Sequence, residues 1–132
     1  MYKTLLVDDL VTEGEALVKR LEGRRLQIAA AFWHYLEDLD RWRLVIVFSS
    51  LVDREGPLRA YMRIQEALSE MDAKELSISD ISVMRLNGYE FRELRSEVGR
   101  SVQVSNRTHR PWPRSLSPRR LEGDTYIYRW DI

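Results

Sequence analysis

Two apolar runs stand almost back to back, Leu26–Leu36 and Arg41–Ser49, with only Glu37-Asp38-Leu39-Asp40 between them. In the first, Ile28, Ala30, Phe32 and His34 alternate with Ala29, Ala31, Trp33 and Tyr35. A strand shows alternate residues to opposite faces, so this one is largely apolar on both and belongs at the centre of a sheet. In the second, Val45, Ile46, Val47 and Phe48 are strongly β-forming. The short polar turn predicts an antiparallel hairpin.

The flanking segments follow other periods. Leu6, Leu10, Leu17 and Leu21 fall on one helical stripe, with Gly14 in its gap and Gly23 as its expected stop. Thr12 and Glu15 have capping-box spacing, an alternative start. Gly56-Pro57 opens a second helix, with proline where a missing N–H costs nothing, and Tyr61, Ile64, Leu68 and Met71 form its stripe. Asp80–Leu86 reads as a third strand, and Asn87-Gly88 turns the chain. Tyr89–Val98 reads as a short helix on Phe91, Leu94 and Val98, stopped by Gly99. Ser101–Arg107 and Thr125–Trp130 read as the last two strands. The expected fold is a single α+β domain over residues 1–132, in the order α-β-β-α-β-α-β-β. It has two layers, three helices and a five-stranded, mainly antiparallel sheet.

Composition excludes more than it selects. The chain has 132 residues and no cysteine, which removes thiol catalysis, cysteine zinc sites and disulfide scaffolds. Twenty-one basic residues balance 21 acidic ones, so no global field pulls it toward nucleic acid or membrane. Its apolar runs fall far short of the roughly 20 residues of a spanning helix. The cytoplasm is the expected compartment, and no motif implies a cofactor or a metal.

The charge is uneven. Residues 100–121 hold six arginines and no acid. Within 105–123, expected to be a long loop in a terminal hairpin, Arg107, Arg110, Arg114, Arg119 and Arg120 could neutralise phosphates and Trp112 could stack on a base. A second candidate is the 49–55 loop, between a buried strand and a helix, a common place for catalytic groups. There Ser49 and Ser50 offer hydroxyls, and Asp53 and Glu55 offer a carboxylate pair. Capping and turn chemistry account for the same residues more simply. Asp8-Asp9 and Asp53 resemble the acids of a response-regulator receiver, but the direct strand-to-strand step at 26–49 breaks the alternation that fold requires. Period two puts Tyr126, Tyr128 and Trp130 on one face of the last strand, opposite Ile127 and Arg129.

Several segments together resemble a family of small bacterial α+β proteins. They are Ala31, Trp33 and Tyr35; Trp42–Ile46; Val52-Asp53 with Gly56-Pro57; Tyr61 and Ile64; Asp80, Ile81 and Val83; and Asp124 with Tyr126–Arg129. The resemblance spans about residues 10–100 and the last strand, implies no activity, and departs at the arginine-rich segment. The function expected first is therefore a non-catalytic interaction or accessory module, with a protein partner or a second copy of the chain. It would use a sheet edge or the aromatic face of the last strand. Nucleic-acid binding through 105–123 comes second, and a small hydrolase or metal nuclease built on 49–55 third.

Overall fold

A computed structural model of the chain describes residues 6, 8–108, 119–121 and 125–132. Its elements are α1 (Asp8–Gly23), β1 (Ile28–Leu36), a 3-10 turn (Glu37–Leu39), β2 (Arg41–Phe48), α2 (Leu51–Glu55), α3 (Pro57–Met71), a second 3-10 turn (Ile78–Asp80), β3 (Ile81–Arg85), α4 (Tyr89–Thr108), β4 (Arg119–Leu121) and β5 (Thr125–Trp130). The fold is α+β, built on one sheet. Four strands lie in the order β3-β2-β1-β5, and the three-residue β4 extends the edge beyond β5.

The sheet is mixed, which corrects the mainly antiparallel expectation. β1 pairs antiparallel with β2 and β5, but β2 and β3 run parallel, Leu44 opposite Ile81 and Phe48 opposite Arg85. The cause lies in the connection. α2 and α3 return the chain to the starting end of the sheet, the crossover that parallel neighbours require.

The strand expected at Ser101–Arg107 is also corrected. Those residues continue α4, which runs through Gly99 to Thr108. Val102 follows Val98 at the helical spacing of four, and the period established by Phe91, Leu94 and Val98 continues past the glycine. The terminal hairpin pairs β5 with 119–121, inside the segment expected to be loop. Four helices are described where three were expected, because Leu51–Glu55 is helical rather than loop.

Helices cover both faces, so the two-layer expectation is replaced by a sheet between helical layers. Leu17, Leu21, Ile64 and Leu68 of α1 and α3 pack with Ala31, Trp33, Leu44, Ile46 and Tyr128 on one face. Phe91 and Val98 of α4 pack with Ala30, Phe32, Val45, Val47 and Ile127 on the other. Gly14 resolves the gap in the α1 stripe. Tyr128 reaches past it to donate its hydroxyl hydrogen to the Val11 carbonyl at 2.5 Å, and accepts from Trp33 Nε1 at 2.8 Å. Beside it, the Glu13 carboxylate accepts from the backbone N–H groups of Lys74, Glu75 and Leu76 at 3.0–3.2 Å. Successive N–H groups turned inward form an anion cradle, here filled from within the chain.

β3 is partly closed as an edge. Its Val83 N–H donates to the Tyr61 hydroxyl of α3 at 2.9 Å. Arg43 of β2 ties its start, bonding Ser82 Oγ and the carbonyls of Ser79 and Ile81.

Candidate functional site

A candidate site lies at the end of the sheet where β2 and β5 finish and β1 begins. A recess of about 330 Å³ lies there, lined by Glu22, Arg25, Leu26, Gln27, Ile28, Ser49, Arg129 and Asp131. It is formed by the α1–β1 turn and the ends of β2 and β5. Ser49 N–H donates to the Gln27 carbonyl at 3.0 Å, and Asp131 N–H to the Ala29 carbonyl at 2.7 Å.

The α1–β1 turn is a Schellman motif. Leu26 N–H bonds the Leu21 carbonyl and Arg25 N–H the Glu22 carbonyl, with Leu21 and Leu26 both buried. Arg25 takes the left-handed position of that motif, at φ 64°. Gly23, the stop expected from sequence, is the last residue of α1, while the left-handed position falls two residues later. The stop is set by where Leu21 can meet Leu26, so a side chain occupies the position that favours glycine.

Arg129 reaches the recess through a fault in the ladder. Ala31 faces Arg129 and Phe32 faces Ile127, so Tyr128 is an extra residue in β5. A bulge of this kind turns the residues after it to the other face. Tyr126 and Tyr128 stay on the α1 side, Arg129 joins them, and Trp130 moves to the α4 side. There its ring lies 5.9 Å from Phe32 and 6.2 Å from Phe91. The expectation that Trp130 shares a face with Tyr126 and Tyr128 is thus corrected. Tyr128 is 5% exposed, so the last strand does not present an open aromatic face. Arg129 Nη2 pairs with Glu22 Oε2 at 2.5 Å, while its Nε is buried with no hydrogen-bond partner among the described residues. The side chains of Arg25, Gln27 and Ser49 form no hydrogen bond to described residues.

Of the 49–55 candidates, the structure brings only Ser49 into the recess. Ser50 is the N-cap residue of α2 but makes no side-chain cap bond. Asp53 Oδ1 accepts from Arg85 Nε and Nη2 of β3 at 3.0 and 2.6 Å. Glu55 accepts from Arg63 of α3 at 3.2 Å. The two carboxylates therefore engage different elements, and among the described residues no three His, Asp or Glu side chains gather as a metal site. Of the arginine-rich candidates, Arg107 lies in α4 and Arg119 and Arg120 in β4, but their side chains lie outside what is described. Arg110, Trp112 and Arg114 lie outside the described residues. His34 is buried on the α4 face, its Nδ1 unpartnered among the described residues. Burial pushes its pKa down, opposed by the Glu97 carboxylate. No helix among the described residues is long and apolar enough to cross a membrane.

Sequence reasoning missed Arg129, Arg25 and Glu22. The signal for Arg25 was available: a buried Leu pair, 21 and 26, with spacing that fits a Schellman closure. Comparison with known proteins finds no matching family model, no matching curated protein and no matching solved structure.

Proposed function

We infer that the chain is a non-catalytic interaction module that pairs with a second copy of itself through the outer face of α3. The observation that carries this reading is a pair of large aliphatic side chains one helical turn apart, Leu58 at 73% and Met62 at 54% exposure. Single exposed apolar residues are ordinary, but two at i, i+4 form a stripe that a partner helix can cover.

The charges beside the stripe favour a second copy over a different partner. Arg59, Met62 and Glu66 follow at spacings of three and four, on one flank of the helix. An antiparallel copy centred near Met62 sets Arg59 against Glu66 twice, the self-complementarity that a two-fold interface needs. Helix packing on such a face brings the axes within about 8–10 Å.

Light scattering across a concentration series tests the reading. The expected result is twice the chain mass at high concentration, lost in Leu58→Glu with Met62→Glu. Arg59→Glu and Glu66→Arg should each weaken pairing, and the two together should restore it. A monomer at every concentration overturns self-pairing.

A further inference from the structure

Because α4 continues through Gly99 to Thr108, arginines far apart in sequence fall on one face of it. Positions 89, 92, 96, 100, 103 and 107 follow at spacings of three and four, which makes one stripe of a helix. The stripe reads Tyr89, Arg92, Ser96, Arg100, Gln103 and Arg107. It lies opposite Phe91 and Val98, which pack on the sheet, and Tyr89, Arg92 and Ser96 are exposed. No acid falls on it. Glu93, the nearest, accepts from the Tyr89 hydroxyl at 2.9 Å, and Glu97 lies on the flank, close enough to act on the buried His34. Arg92 forms no ion pair among the described residues, unlike Arg63, Arg85 and Arg129. α4 also touches β4, whose Arg119 pairs in register with Ile127 of the same sheet face. This surface is independent of α3, which packs on the other face of the sheet.

Charge and geometry indicate the partner. A helix face that carries cations and no anion complements a polyanion. At roughly 1.5 Å per residue, Arg92 and Arg100 stand about 12 Å apart along the axis, and Arg100 and Arg107 about 10 Å. Charge strung over that length exceeds what one small anion spans. The major groove of B-DNA, about 12 Å wide, admits an α-helix. Serine and glutamine are among the side chains that bond base edges there, glutamine to adenine. Gly99, at the rim of the face, adds no side chain, so the helix backbone can come close. Duplex RNA has a major groove too narrow for side chains to read, and a single strand wants a row of aromatic rings, where this face has Tyr89 alone. We propose that the outer face of α4 docks in the major groove of double-stranded DNA. Arg92, Arg100 and Arg107 hold phosphates along the groove, and Ser96 and Gln103 meet base edges between them.

The test titrates the full chain into a fluorescently labelled DNA duplex of mixed sequence and reads anisotropy, with duplex RNA and single-stranded DNA in parallel. The DNA duplex should bind most tightly. Three phosphate contacts should cost about 40-fold in affinity between about 50 and about 200 mM salt, at a slope of about −0.9 per contact. Arg92→Ala, Arg100→Ala and Arg107→Ala should each reduce that slope by about 1. Ser96→Glu puts a carboxylate in the middle of an exposed stripe and should weaken binding about tenfold or more, with Tm unchanged. Lys19→Ala, an exposed cation on α1 across the sheet, should change nothing. The proposal is overturned by no anisotropy rise at the lower salt, or by a Ser96→Glu chain that binds like the parent. A Lys19→Ala loss as large as that of Arg100→Ala, or tighter binding of duplex RNA or single-stranded DNA, overturns it equally. The oligomeric state, set at α3, separates failure here from failure of the pairing reading.

Discussion

Gly14→Ala sets two large effects against each other. Within a helix, alanine is worth about 1 kcal/mol over glycine. Yet a β-carbon at Gly14 would stand 2.5 Å from the Tyr128 hydroxyl oxygen and 3.1 Å from Trp33 Nε1. The hydroxyl must move, and it holds two hydrogen bonds, to Val11 and from Trp33. Losing both costs about 1 kcal/mol each, and stranding the N–H of a fully buried Trp33 adds about 1–3 kcal/mol. Burial pushes the Tyr128 phenol far up, so it remains a donor throughout the working pH range. Net destabilisation of about 2–4 kcal/mol is expected after the propensity gain, a fall in Tm of roughly 10 °C. Urea titration followed by tryptophan fluorescence measures it. A cycle with Tyr128→Phe isolates the cause, because removing the hydroxyl leaves the 3.1 Å contacts as the closest. The double variant should then be at least about 1 kcal/mol more stable than the sum of the singles. A neutral or stabilised Gly14→Ala, or additivity within about 0.5 kcal/mol, would refute the reasoning.

Three further outcomes are expected. Glu13→Ala empties the cradle of three N–H groups and should cost about 1–2 kcal/mol, with faster amide exchange confined to 74–76 and their neighbours. His34 has its pKa pushed below its ordinary 6.5, so both states are neutral above that value and only the unfolded chain takes up a proton as pH falls through it. Stability should therefore drop as pH falls from 6.5 toward the lowered folded value, and His34→Leu should flatten that slope in denaturant titrations across pH 4–8. Asp53→Ala removes an ion pair whose side chains are 63% and 44% exposed, and should change stability by less than about 1 kcal/mol; a larger loss measured by urea titration would give the pair a structural role that its exposure denies.

The periodic elements were legible because burial enforces their periods. Leu17 and Leu21, Ile64 and Leu68, and Phe91 and Val98 were all assigned inward by spacing, and all are buried. The parallel pairing of β2 and β3 was also within reach. The run of strand, helix and strand from Arg41 to Arg85 requires the chain to return before it pairs again. The short turn at 37–40 dictates antiparallel pairing for the first hairpin alone and says nothing of the strand that follows α3. Ser101–Arg107 failed for a different reason. "SVQVSNR" alternates well enough for a strand, and only the longer period reaching back to Phe91 identifies the helix.

The recess was illegible for a physical reason, since its key residue depends on an irregularity. Face assignment in a strand rests on strict period two, and one extra residue inverts everything beyond it. The segment Thr125–Trp130 holds no glycine or proline to announce a bulge. What forces it is distant. Tyr128 must face α1 to reach Val11 past Gly14, and Trp130 must face α4 to meet Phe32 and Phe91. Residues two apart can face opposite sides only if the ladder gains one between them, and the residue then turned toward α1 is Arg129, beside Glu22. The packing demands of two tyrosine and tryptophan anchors thus deliver a guanidinium to the recess. Tyr128→Phe should accordingly loosen Arg129 as well as the α1 contact. Exchange of the Asp131 amide, which bonds Ala29 just beyond the bulge, reads that coupling, and unchanged protection there would separate the bulge from the tyrosine.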